Sequence, residues 1–344
     1  MTVRDVESIS GNVFWEGEFR TGTITTEMGR LVFEEGRSSE ENTVLPLPVN
    51  AHTHIGDSFV SREPTGTLAS IVGPGGFKEN ELRGASPGTI TAGMRRVFEY
   101  LKQICSPVII DFRESGAGGV MAMKNALTEG VMPLILSRGS SREELVSSIR
   151  ISDGIGISSE KDVDHFLIDQ ASRIVKENGK IFAIHVSEAE RENMDYVMSL
   201  NPDFVVHGIS APVEDLESLA ERKIPLAITP RSNYFYGMRP DYSLMMNSGI
   251  DMMLGTDNAM VTTPDIYAEM DFLYHIQRSL NRISPDDIVN MVFRNPYRHL
   301  ERFMSRQSRF FLLFPHVRLS SYEIVTRASQ YDRVLIQFTN TEGQ

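Results

Sequence analysis

Eight short apolar runs recur through the middle of the chain, and this recurrence constrains the fold more than any other feature. They are VLPLPVNAH, PVIIDF, MPLILS, GIGIS, KIFAIHV, DFVVHGI, IPLAIT and DMMLGTD. Most are separated by stretches of helical character such as TAGMRRVFEYLKQI, VMAMKNALTEG, EELVSSIR, VDHFLIDQASRIVKENG and VEDLESLAERK. Strands that alternate with helices build a parallel sheet from βαβ units, and eight units is the number that closes a barrel. The expected class is therefore α/β, a (β/α)8 TIM barrel. Two more helical stretches follow the eighth run, PDIYAEMDFLYHIQRSL and SPDDIVNMVFRNPYRHLERFM.

Both ends of the chain read differently. The first forty-odd residues alternate apolar and polar types between Gly-containing turns, and RFFLLFPHV, YEIVTRA and RVLIQF restore β-rich sequence at the other end. Neither segment is large enough to bury its own face. They are expected to pair into one small discontinuous β domain, residues 1–45 with 308–344, flanking a barrel over 46–307. The connection from Ile55 to Pro87 is rich in Gly, Pro and Ser and far longer than a typical βα loop. Because it leaves the first run directly after two histidines, it is read as a lid over a site rather than a surface excursion.

Composition narrows the partners. A formal charge of −12 and a pI near 5.2 give an acidic surface that repels phosphate backbones, which disfavours nucleic acid and anionic membranes. A small-molecule substrate is expected, and a homo-oligomer remains open. The single Cys105 excludes an intramolecular disulfide, no apolar run is long enough to span a bilayer, and MTVRDVESIS lacks the layout of a secretory signal. Cytoplasmic residence follows by default.

The chemistry concentrates at the ends of the runs. In Pro48-Val49-Asn50-Ala51-His52-Thr53-His54, residues two apart on a strand share a side, so His52 and His54 both face the barrel interior and form half of a metal site. His185 ends the fifth run, His207 the sixth and Asp257 the eighth. Active sites of this fold sit at the C-terminal strand ends, so all five residues share one rim. Taken singly, each histidine also reads as a satisfied core residue and Asp257 as a helix N-cap. His165, His275, His299 and His316 lie in helical or late β sequence and are read as structural or surface residues.

HTH on the first run, IHVSE on the fifth, VVHGIS on the sixth, TPRSN on the seventh and LGTDNA on the eighth together resemble the amidohydrolase superfamily. The likeness is greatest to the branch holding cytosine, guanine and adenosylhomocysteine deaminases and the chlorohydrolase-like triazine hydrolases, and it spans Thr43 to Leu300. It implies that His52, His54, His185 and Asp257 ligate one divalent ion, Zn²⁺ or Fe²⁺, whose bound water becomes the nucleophile. It further implies that Asp257 accepts a proton from that water and that His207 stabilises the forming tetrahedral centre. Glu188 matches the H-x-x-E glutamate that shuttles a proton to a ring nitrogen and then to the leaving amine. On a continuing strand that spacing would aim Glu188 away from the metal, so the chain must turn after His185. The third and fourth runs hold no lysine that could bridge two metals, and Lys161 and Glu160, just beyond, are poor candidates for that role.

The resemblance thus implies a hydrolase of non-peptide C–N bonds, with deamination of a nucleobase-like or other nitrogen heterocycle favoured. The alternatives are hydrolysis of a cyclic amide, as in imidazolonepropionase-like members, a triazine hydrolase, and a catalytically silent barrel scaffold. It also implies that the outer domain is a small β-sandwich, although SRQSRFFLLFPHVRLSS departs from the usual closing stretch. Arg113 and Glu114 after the second run, and Arg231, Ser232 and Asn233 after the seventh, are candidate substrate contacts. A salt bridge for Arg113 or Glu114 and a solvated loop position for Arg231 are the competing readings.

Overall fold

The protein was analysed as a computed structural model, which describes residues 3–279 and 283–339. The last residue of the first post-barrel helical stretch, Leu280, and the outermost residues of both terminal segments lie outside that range.

Two sheets organise the chain, and the larger is entirely parallel. Its strands are Val49–His54, Val108–Arg113, Leu134–Ser137, Gly154–Ile157, Ile181–Val186, Phe204–His207, Leu226–Ile228 and an eighth in two pieces, Met252–Leu254 and Asp257–Asn258. Every residue of these strands is buried, as expected where helices cover one face and inward side chains fill the other. The first piece of the eighth strand pairs with Leu226–Ile228 and the second with Val49–His54, so one stretch of chain occupies both edges and the sheet curls until its ends meet. The fold is thus TIM-barrel-like.

Two features secure the seam. Buried Asn50 donates to Thr256 Oγ1 at 2.8 Å and accepts from Thr256 N at 3.1 Å, while Thr256 N also donates to His52 O at 3.0 Å. Between the two pieces lies Gly255, where a Cβ would sit 2.7 Å from the Cβ of His52, so only glycine lets the first and eighth strands approach this closely.

The amphipathic segments form the expected covering helices. His165–Asn178 is representative: Asp164 caps it by accepting from Phe166 N, and Ile168, Ala171, Ser172, Ile174 and Val175 form its buried face. Gly179 ends it with φ 61°, a left-handed turn that suits glycine.

The second sheet joins the two ends of the chain. Its seven strands lie in the order Val3–Val6, Val334–Phe338, Phe310–Phe314, Thr43–Pro46, Ser8–Trp15, Glu18–Glu27, Arg30–Glu35. Val13, Ile24, Val44, Phe311, Leu313, Ile336 and Phe338 give it a separate apolar core. All seven strands belong to one continuous hydrogen-bonded sheet.

Two sequence expectations need correction. The run VLPLPVNAH is not one strand: Thr43–Pro46 belongs to the terminal sheet and Val49–His54 to the parallel one. Pro46 and Pro48 flank the crossing, and neither has an N–H to continue a ladder. YEIVTRA is helical over Ser321–Arg327, not a strand. A capping box between Ser320 and Glu323 starts this helix, and its buried Ile324 and Val325 pack it against Ile266–Gln277 and Pro285–Phe293. Burial on a helical face outweighs the β preference of two branched residues.

The long connection after His54 is ordered. It holds a 3-10 turn at Ile55–Asp57 and short helices at Leu68–Val72 and Phe77–Gly84. Among the described residues no helix is long and apolar enough to cross a membrane.

Candidate metal centre

The strand period places the first pair. His52 and His54 point to the same side of Val49–His54, with ring centroids 4.9 Å apart. His185 is the penultimate residue of the fifth strand, and its ring lies 4.8 Å from that of His52 and 5.6 Å from that of His54. His207 ends the sixth strand with its ring 5.2 Å from His185. Asp257 brings Oδ1 to 3.4 Å from His52 Nε2 and 3.7 Å from His54 Nε2.

The chain turns after His185, as Glu188 requires. Ser187 has φ 46°, and Glu188 then places a carboxylate oxygen 3.6 Å from His207 Nε2. His207 and Asp257 are themselves left-handed, at φ 77° and 62°. Such conformations cost non-glycine residues of order 1–3 kcal/mol and collect at functional sites, where surrounding structure enforces them.

Ligand atoms converge in three overlapping sets: His52, His54 and Asp257; His52, His185 and His207; and Glu188, His207 and Asp257. Within each set the atoms lie within 4.8 Å of one another. Outside them, Glu160 is held by His165 at 2.8 Å and Lys161 by Glu190 at 2.9 Å.

Neighbouring groups fix the imidazole tautomers. His185 Nδ1 donates to Ile157 O at 2.7 Å, and His54 Nδ1 lies 3.1 Å from Phe112 O and 2.9 Å from Glu114 Oε1. With those protons on Nδ1, each Nε2 keeps its lone pair for the centre. His52 is the sharper case, since both of its ring nitrogens are buried without a hydrogen-bond partner. An unpaired buried nitrogen is costly unless something binds it, and a divalent cation fits a set of neutral imidazoles and one carboxylate. Ser232 Oγ donates to Asp257 Oδ2 at 2.6 Å and leaves Oδ1 toward the histidines.

Burial sets the protonation states. It pushes His52 down to about 4, His54 to about 3 and His185 well below the usual histidine range, so all three are neutral at pH 7. Burial opposes the charge on Asp257, but the neighbouring imidazoles, His52 first, hold its carboxyl well below the normal carboxylate range. For Glu188 burial prevails, and its affinity for a proton is raised.

The remaining expected residues occupy varied positions. Arg113 is buried, ion-paired with Asp111 at 3.2 Å and with Glu114. Glu114 stands behind His54 and also meets Lys78 at 2.5 Å. Arg231 is engaged by Glu269 at 2.6 Å and by the Thr263 and Asp265 carbonyls. Asn233 donates to Tyr242 Oη at 2.8 Å and accepts from Thr229, whose hydroxyl faces His207 Nδ1 at 3.4 Å. The cavity over the centre, about 280 Å³, is lined by His54, His185, Glu188, His207 and Asp257, and also by Lys78, Arg138 and Asn258, which sequence reasoning missed. Neither Arg113 nor Arg231 is among its lining residues. Arg138 directly follows the third strand, so the strand-end rule that singled out His185 applied to it equally. Lys78, deep in the aperiodic connection, gave no such signal.

Comparison with known proteins agrees with this geometry. Residues 43–303 match the amidohydrolase family. A protein of Archaeoglobus fulgidus, provisionally named an aminohydrolase, is 32% identical over 287 residues, 82% of this chain and 84% of that one. Among solved structures, a guanine deaminase from C. acetobutylicum with bound guanine superposes with a TM-score of 0.77 at 11% identity, covering 96% of this chain and 98% of its own. A zinc complex of atrazine chlorohydrolase from Arthrobacter aurescens TC1 gives 0.76 at 12% identity, covering 94% and 90%. The parallel sheet, the strand-end histidines and the match over most of the chain lead to one conclusion: the chain belongs to the amidohydrolase family, and as such is a hydrolase of carbon–nitrogen bonds other than peptide bonds.

Proposed function

We propose that this protein is a metal-dependent aminohydrolase that removes an amino group from a nucleobase-like or other nitrogen heterocycle. The observation that carries the reading is the position of Glu188, a half-buried carboxyl with raised proton affinity that shares one cluster of ligand atoms with His207 and Asp257. Ring deamination needs a group that takes a proton from the attacking water and returns it to a ring nitrogen and the departing amine, and a carboxyl whose proton affinity is raised is suited to both.

His52, His54, His185 and Asp257 would hold one zinc or iron(II) ion, which would lower the pKa of a water toward neutrality and so supply hydroxide at working pH. The protein's own groups do the rest. His207, oriented through Thr229, would stabilise the negative charge that develops on the substrate through a proton carried on Nε2. Ser232 keeps the Asp257 carboxylate turned toward the histidines. The helices of 55–87 form a lid, since Leu68, Val72 and Lys78 wall the cavity. We assign residues 46–307 to a closed (β/α)8 barrel, and residues 1–45 with 308–344 to an outer sandwich-like β domain. The working state we propose is a cytoplasmic enzyme, self-associated if at all, that takes a small heterocycle and no nucleic acid.

The test is ammonia release from purines, pyrimidines, pterins and triazines by protein of measured metal content. Release from amino-bearing rings supports the reading, whereas turnover confined to cyclic amides or to halo- or alkylamino-triazines moves the protein to another branch. Glu188→Gln should keep stoichiometric metal while lowering turnover about 10²- to 10⁴-fold, because only proton transfer is lost. Equal loss of metal and activity would show that Glu188 has another role.

A further inference from the structure

Among the described residues, the ion pairs made by the segment 58–87 are few. Arg62 with Glu81 and Arg83 with Glu79 stay inside the segment, and only the pairs of Lys78 leave it. Lys78 stands in the first turn of Phe77–Gly84, lines the cavity over the metal centre, and reaches Glu114 Oε1 at 2.5 Å and Asp57 Oδ2 at 3.8 Å. Glu114 Oε1 is also the oxygen that lies 2.9 Å from His54 Nδ1. One carboxylate oxygen therefore joins the connection to an expected metal ligand.

That carboxylate is fixed from its other side. Arg113 pairs with Glu114 Oε2 and, at 3.2 Å, with Asp111, while a Cβ on Gly56 would lie 1.9 Å from Arg113 Nη2, so glycine lets the chain pass over this guanidinium. Asp57 is satisfied by Asn258 Nδ2 and Met260 N, both at 2.9 Å, so neither carboxylate depends on the lysine alone. The arrangement has a sign. A carboxylate behind an imidazole strengthens its hold on a cation, whereas an ammonium on the same oxygen draws on that negative charge and repels a second cation across the ring. A proton on His54 meets the same opposition, since burial first and Lys78 next push this histidine down to about 3.

We infer that Lys78 sets docking of residues 58–87 against occupancy of the metal centre: the docked lysine weakens the hold on the cation, and a bound cation loosens the segment. Lys78 acts through Glu114 on His54, as a positioning residue. The inference rests on the metal-dependent reading, with His54 as a ligand, and holds whatever the substrate. Such linkage is reciprocal, so each direction can be measured.

Metal-free full-length protein is titrated with zinc against a competing chelator, and hydrogen exchange is followed with and without zinc. Lys78→Met and Lys78→Gln should each bind zinc about 10- to 100-fold more tightly than the parent, the scale on which groups behind a ligand alter metal affinity, and Lys78→Arg, which restores the charge, should return toward the parent. In the parent, saturating zinc should speed exchange across residues 58–87 while slowing it in the strand Val49–His54, and Lys78→Met should abolish the first effect but keep the second. The parent measurement needs no variant, so it stands even where a substitution prevents folding. The inference is overturned if both neutral variants bind zinc no more tightly than the parent, or if zinc protects 58–87 in the parent as it protects the strand. A parent that takes up no zinc sinks the inference together with the metal-dependent reading. Antagonism without ammonia release from any ring supports the inference and sinks the deaminase reading instead.

Discussion

Replacing Gly255 with alanine tests whether the barrel seam positions the metal centre. The added Cβ would lie 2.7 Å from His52 Cβ, 2.8 Å from His52 N and 3.0 Å from His52 O. Carbon atoms in ordinary contact stand about 3.5–4.0 Å apart, so the first and eighth strands must separate by about 1 Å. They cannot do so freely, because Thr256 is bonded to Asn50 and to His52 O. Overpacking of this kind typically costs about 1–3 kcal/mol. Movement of His52 away from Asp257 Oδ1, now 3.4 Å from its Nε2, should weaken metal binding by about 10- to 100-fold, the scale of losses when ligand orientation is disturbed. Urea denaturation of the metal-free protein gives the first quantity, and zinc titration against a competing chelator gives the second. Gly36→Ala is the control, since nothing lies within 4 Å of a Cβ there, and its stability should stay within about 0.5 kcal/mol of the parent. A Gly255→Ala protein with parental stability and zinc affinity would refute the idea that the seam holds His52 in place.

Two further predictions concern the charges beneath the lid. Lys78 is 7% exposed and spans Glu114 at 2.5 Å and Asp57 at 3.8 Å; Lys78→Met leaves Glu114 its pair with Arg113 and Asp57 its bond from Asn258, and should cost about 1–3 kcal/mol through the lost charge-assisted hydrogen bond. Because the lysine comes from the connection, hydrogen exchange should quicken first across residues 58–87, and uniform protection there would count against a latch. Burial raises the Asp57 carboxyl to about 7 despite Lys78, against 3.8 in the unfolded chain. The folded state therefore holds a proton between those values that the unfolded state has released, and Asp57 adds stability at low pH that is lost as pH rises through about 7. Asp57→Asn lacks that term, so parent minus variant stability should shrink by up to about 1.4 kcal/mol per pH unit between pH 5 and 7, and a flat difference would rule out the shift.

How much of this was legible in the sequence follows from the range of the interactions. The period of two along Val49–His54 placed two imidazoles on one side, and the strand-end rule collected His185, His207 and Asp257 on one rim, because both depend only on local chain geometry. Arg231, expected to face either substrate or solvent, is claimed by Glu269, a residue 38 positions later on another helix that no local pattern connects to it. Glu114 was singled out by its rim position, but its role behind His54 depends on a lysine delivered by the aperiodic connection. The helical fate of Ser321–Arg327 was hidden for the same reason, since two helices elsewhere in the chain decide which face of it is buried.

The residues that carry the chemistry are also those that burden the fold. His207 and Asp257 stand in left-handed backbone at strand ends, and His52 keeps two buried nitrogens without a hydrogen-bond partner. Each is locally unfavourable, and their concentration on one rim is not what packing alone would select. Strain at His207 falls where the chain leaves the sixth strand, and strain at Asp257 where the second piece of the eighth strand begins. The cost at His52 has a different character, because a divalent cation can remove it. A protein built this way should gain stability when zinc is added, and an unfolding midpoint that stays put at saturating zinc would refute that account.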